Sequence, residues 1–209
     1  MNAETVEQRL RPAFPILLSG LLLAGCVASA PTHYHTLLDP MAEPSSIRPS
    51  GFLVDMEPVD IPPQSDQPQL VVRSDDGGIQ LLQHERWVAP LADELRNALS
   101  DDLVRELGTM DVARLSAPSA LPVLRIKVDV RRFEATPGHD VSLDATWNLS
   151  LAGGTRPPLV CLIQEQRPTG SDYADVVKGQ RRLLGHLASR IAAAAERYVA
   201  GDSNSCLAE

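Results

Sequence analysis

The residues that could do chemistry in this chain are few, and most of them lack the partners that chemistry needs. The five histidines are His33, His35, His84, His139 and His186. The His33-x-His35 pair could bind a metal ion transiently, but a stable site needs further ligands at fixed spacing, so a solvated pair and no metal site are expected. His139-Asp140 imitates two members of a hydrolase triad without a recognisable nucleophile, and reads better as a polar hairpin loop. There is no Gly-x-Ser-x-Gly, no His-Glu-x-x-His and no Cys-x-x-Cys. The two lysines, Lys127 and Lys178, do not follow a glycine-rich loop, which excludes a phosphate-binding P-loop. No catalytic residue and no enzymatic activity are expected.

The exception is Cys26, whose thiol stands at the end of a secretory pattern. Arg9 and Arg11 precede a run over residues 13–24 that is apolar apart from Pro15, Ser19 and Gly20. A transmembrane helix needs about 20 apolar residues, so this run is too short to span a bilayer. It has the layout of a signal peptide. Its end, Leu23-Ala24-Gly25-Cys26, resembles the lipobox of bacterial lipoproteins. There the small residues admit the signal peptidase, and the thiol receives a diacylglycerol before cleavage. The expected product begins at Cys26 and is held by acyl chains whose burial contributes ~0.8 kcal/mol per CH₂. That covalent lipid on Cys26 is the only non-protein group expected, with no cofactor.

The removed acids and arginines cancel, so the mature chain keeps a formal charge of −8. Without a basic block it is a poor nucleic-acid binder, because counterion release needs clustered Lys and Arg. Export changes how the other cysteines read, since disulfides persist outside the cytoplasm. Cys161 lies in an apolar segment and Cys206 in a Gly/Ser/Asn-rich tail. Either the two pair and pin the tail, or Cys161 stays a buried thiol and the tail is free. Sequence cannot supply the Cα separation that decides between them.

The elements that would position these residues follow from periodicity. Residues 1–25 are the cleaved signal, 26–33 a lipidated tether, 34–200 a single globular domain and 201–209 a flexible tail. Residues 34–37 could be a short first strand, and the alternation of Phe52, Val54 and Met56 gives another that Pro58 ends. Residues 69–73 and 79–83 flank Asp75-Asp76-Gly77-Gly78, a hairpin signal. A helix over about 89–107 has Pro90 in its first turn and Gly108 past its end. Leu91, Leu95, Leu99 and Leu103 lie on its apolar stripe, while Asp93, Glu94 and the Asp101-Asp102 pair fall on the watered face. Leu124, Ile126, Val128 and Val130 alternate with charges, and residues 141–151 and 159–163 return in meander order, which implies antiparallel pairing. A closing helix opens near Ser171-Asp172 and runs to about Tyr198. The order of these elements argues for an α+β domain, two long amphipathic helices packed on a mostly antiparallel or mixed sheet. Trp87 and Trp147 read as core residues, with Trp87 alternatively an interface anchor.

Several segments together resemble the PqiC-type lipoproteins, auxiliary lipoproteins of ABC-type transporters. They are residues 66–73 (Asp-Gln-Pro-Gln-Leu-Val-Val-Arg), Glu85-Arg86-Trp87-Val88-Ala89-Pro90-Leu91 leading into residues 95–99, Tyr34-x-Thr36-Leu37, the strand ending in Phe133, and Asp172-Tyr173. The chain departs from the family at Gln64-Ser65, where an aromatic is common. The resemblance implies an outer-membrane lipoprotein facing the periplasm, with Val27 rather than Asp after the lipidated cysteine. It implies work with an MCE-domain protein and an inner-membrane permease in moving lipid between membranes, with self-association, for instance as a ring, a further expectation. A periplasmic lipid carrier and a cell-envelope-binding lipoprotein are the alternatives.

Overall fold

In a computed structural model of the chain, residues 30–39, 49–115, 120–202 and 206 are described. Residues 1–25, expected to be a signal peptide, and with them Leu23, Ala24, Gly25 and the following Cys26 lie outside them. The chain divides into two compact units at Pro31/Thr32, and the second holds all of the described strands and helices.

Among the described residues, seven strands and two helices make an α+β fold. In chain order they are β1 (His33–His35), β2 (Leu53–Met56), β3 (Gln69–Arg73), β4 (Ile79–Trp87), α1 (Leu91–Leu107), β5 (Val123–Thr136), β6 (Asp140–Leu151), β7 (Leu159–Pro168) and α2 (Tyr173–Ala200). The larger sheet has the order β2-β5-β6-β7 and the smaller one β1-β4-β3. The meander β5-β6-β7 is antiparallel as its patterning requires, while β2 joins β5 and β1 joins β4 in parallel. Parallel pairing requires a long connection rather than a tight turn, and β1 and β2 each reach their partners from far earlier in the chain.

Alternation explains which face is buried. Leu124, Ile126, Val128 and Val130 point inward with Arg125, Lys127 and Asp129 outside. The register then shifts between Val130 and Arg132, so that Phe133 and Ala135 take over the inner face. The extra residue of a β-bulge does this, since side chains alternate with period two. Leu143, Ala145, Trp147 and Leu149 of β6 and Leu159, Cys161 and Ile163 of β7 complete the layer.

Both helices cover that layer. Pro90 supplies the extended residue before α1, and Gly108 closes it at φ 58°, where its N–H donates to the Val104 carbonyl. Leu95, Leu99 and Leu103 of α1 and Leu184, Leu187, Ile191 and Tyr198 of α2 are buried in one continuous core. Cys161 and Cys206 are joined by a disulfide, with Cα atoms 5.5 Å apart. The tail expected to be flexible is therefore tied to β7 at Cys206.

Candidate functional site

Three segments far apart in sequence meet where the chain enters the domain. His33 is registered opposite Glu85 in the parallel β1–β4 pair, while His35, two residues on, is registered opposite Trp87 and reaches back to the same carboxylate. His33 Nδ1 lies 2.8 Å from one Glu85 carboxylate oxygen and His35 Nε2 lies 2.5 Å from the other. The two imidazoles thus grip opposite oxygens, an ion-pair arrangement rather than a convergent ligand set. Among the described residues, no three His, Cys, Asp or Glu side chains are grouped to hold a metal ion. Burial alone would raise the pKa of Glu85, but the facing histidines outweigh it and hold the carboxyl below its ordinary value.

The next residues are clamped by both helices. Glu94 Oε2 accepts the Thr36 hydroxyl at 2.8 Å and the Leu37 N–H at 2.7 Å. Arg181 of α2 donates from Nε and Nη2 to the Thr36 carbonyl, at 3.0 and 2.7 Å. Glu94, expected on the watered face of α1, is instead 4% exposed. Its place in the first helical turn explains this, because a carboxylate there meets the positive end of the helix dipole as well as the incoming donors. Periodicity alone hides such a residue, since the strand that covers it comes from 57 residues earlier.

Beside this clamp lies an open groove of about 580 Å³ lined by Tyr34, Asp66, Gln67, Pro68, Arg86, Trp87, Val88, Ala89 and Pro90. Its walls are laced by backbone hydrogen bonds. The Trp87 N–H donates to the Pro68 carbonyl at 3.0 Å, and the Val88 N–H to the His35 carbonyl at 2.9 Å. Trp87 is 5% exposed, so the residue considered as an interface anchor is packed into the core and only floors the groove. Its neighbours carry the exposed apolar surface instead, with Tyr34 at 65% and Val88 at 64%. β4 ends at Trp87, and Val88 is exposed in the bend that follows it.

The other singled-out residues do not join this site. His139 pairs with Asp75 at 3.3 Å between two exposed loops, and Trp147 is buried under the helices. Gln64 and Ser65 line a separate small cavity of about 70 Å³ against Phe133 and Ala135. Asp102 is not simply solvated: its carboxylate pairs with Arg105 beside α2. Burial, helped by the neighbouring Asp101 and Asp39 charges, holds its carboxyl above the ordinary value despite Arg105.

The lining of the groove draws on the stretches around residues 66–68, 86–90 and 34, brought from three parts of the chain to one place. The chain belongs to the family of ABC-type transport auxiliary lipoprotein components, whose model matches residues 35–192. The family is described as a lipoprotein component auxiliary to transport. A crystal structure of an uncharacterised protein is similar over 79% of this chain and 99% of that one, with 19% identity and a TM-score of 0.64. Another, of a protein from Xanthomonas campestris, is similar over 85% of this chain and 99% of that one, with 20% identity and a TM-score of 0.54. These two likenesses establish the fold. No curated protein matches the chain. Among the described residues no helix is long and apolar enough to cross a membrane.

Proposed function

We propose that this chain is a non-enzymatic accessory subunit of an MCE-type intermembrane lipid transport system. Lipid on Cys26 holds it to the outer membrane on the periplasmic side. The groove under Tyr34 and Val88 receives the end of a periplasmic MCE-domain conduit fed by an inner-membrane permease. The observation that carries this reading is the meeting of the clamped N-terminal segment with a groove built from the stretches that carry the resemblance, around residues 34, 66–68 and 86–90. A surface that must face a fixed partner gains from being rigidly joined to the anchor, since less orientational freedom is lost on docking. β7 is the last strand of the larger sheet, and its outer face, where Val160 and Leu162 are exposed, is where a second copy would pack. The lipid-carrier alternative has less support, because the space between sheet and helices is filled by the side chains of one continuous core.

In-cell crosslinking of a C-terminally tagged protein, followed by mass spectrometry of the membrane fraction, tests the reading. Recovery of an MCE-domain protein, lost in Cys26→Ala, is the expected result. Recovery of cell-wall fragments alone would overturn it.

A further inference from the structure

Positive charge is scarce in this chain, which has only 19 basic residues against 27 acidic ones. Four of the basic residues nevertheless face one groove of about 490 Å³ between the helices: Arg105 of α1 and Lys178, Arg181 and Arg182 of α2, with Asp39 and Asp102 opposite. Two of the four are committed. Arg181 holds the Thr36 carbonyl, and Arg105 pairs with Asp101 and Asp102. Lys178 and Arg182 are exposed, stand one helical turn apart, and meet no acceptor among the described residues. Side chains at that spacing share a face, so one ammonium and one guanidinium fork bracket the same opening, a pairing suited to phosphate oxygens.

A glycine points the same way independently. Gly179, also in α2, is required by packing, because a Cβ there would come within 3.0 Å of Val141. Gly185 has no such reason. A Cβ added to it would meet only Asp102 Oδ2, at 3.9 Å, an ordinary contact. A mid-helix glycine costs about 1 kcal/mol relative to alanine. At position 185, a lining residue, the effect of omitting a side chain is to leave the groove open.

Leu37 also lines the groove, immediately after the Thr36 clamp. Residues 27–33, extended, reach at most ~25 Å, so a lipid anchor at Cys26 keeps this opening near a headgroup layer. We infer that the α1–α2 groove seats the phosphate of an anionic phospholipid headgroup, with Lys178 and Arg182 as its ligands and Gly185 giving it room. This needs the lipid anchor but not the docking role proposed above, and stands if that role fails.

The test uses the mature lipidated protein in nonionic detergent, titrated with short-chain phosphatidylglycerol, short-chain phosphatidylcholine and inorganic phosphate, and read by native mass spectrometry. The expected result is one phosphatidylglycerol bound in preference to phosphatidylcholine. Binding should weaken roughly thirtyfold in Lys178→Gln/Arg182→Gln, from ~1 kcal/mol per basic residue. Gly185→Leu should block the groove while its melting temperature shows the fold intact. Equal binding by wild type and the double variant would overturn the inference. So would phosphate binding with no preference for the lipid, which would mark a free-phosphate site.

Discussion

The Glu94 carboxylate, on the first turn of α1, accepts the backbone N–H of Leu37 across a gap of 57 residues at 2.7 Å. That bond fixes where the N-terminal segment joins the domain, and the same oxygen also accepts from Thr36. Glu94→Ala would leave a buried N–H without an acceptor, at a cost of about 1–3 kcal/mol. Urea denaturation of the mature protein should show that loss, with Asp93→Ala as a nearly silent control. Identical midpoints for the two variants would contradict the clamp.

Glu85 predicts an acid dependence. Its carboxyl is held below the ordinary glutamate value, chiefly by His33 and His35 against the opposing effect of burial. A carboxylate lowered in the folded state stabilises above the ordinary pKa of about 4.3, and that stability is lost as pH falls through the lowered folded value. The melting temperatures of wild type and Glu85→Gln should therefore differ above about pH 5 and converge in stronger acid. A difference that stays constant with pH would show that the carboxylate charge is not what matters.

Asp111 makes a second such linkage on the other side of α1. Burial would raise its pKa, but donors from Ser100, Ala113 and Met56 together with Arg96 bring it below the ordinary value. Arg96 Nη2 also reaches the Met56 carbonyl at 3.1 Å, so the pair ties α1 to β2. Asp111→Ala leaves that guanidinium without its partner in a site mostly closed to water, and should cost about 3 kcal/mol in thermal or chemical melts. A loss within experimental error would mean that water replaces the carboxylate freely.

The elements whose forces are local are legible in the sequence. Pro90 and Gly108 bound α1, the leucine stripe marks its buried face, and the alternation from Leu124 to Val130 marks β5. What depends on distant partners is not legible. Periodicity ends β4 at Gln83 because His84-Glu85-Arg86 is polar, yet the strand runs on to Trp87 since Glu85 faces the histidines of β1. Glu94 reads as solvated for the same reason. At the groove, the motif around Trp87 is visible, but only the folded end of β4 shows that Trp87 is buried and that Val88, in the bend after it, is exposed.

The Cys161–Cys206 bridge closes a loop with a sequence separation of 45 residues. Cys206→Ser should lower stability by about 2–4 kcal/mol, as expected for a loop of this length. Reductant should lower the melting temperature of the wild type toward that of the variant and leave the variant unchanged. A wild type indifferent to reductant would show that the bridge adds nothing to the fold.

The docking reading is tested most directly by a photo-crosslinking residue placed at Val88 and, in a separate strain, at Leu162. The two side chains are almost equally exposed, at 64% and 66%, on different faces of the domain. The account predicts that irradiation of cells captures an MCE-domain protein at Val88 and not at Leu162. Capture of that protein equally from both positions, or from Leu162 alone, would contradict it.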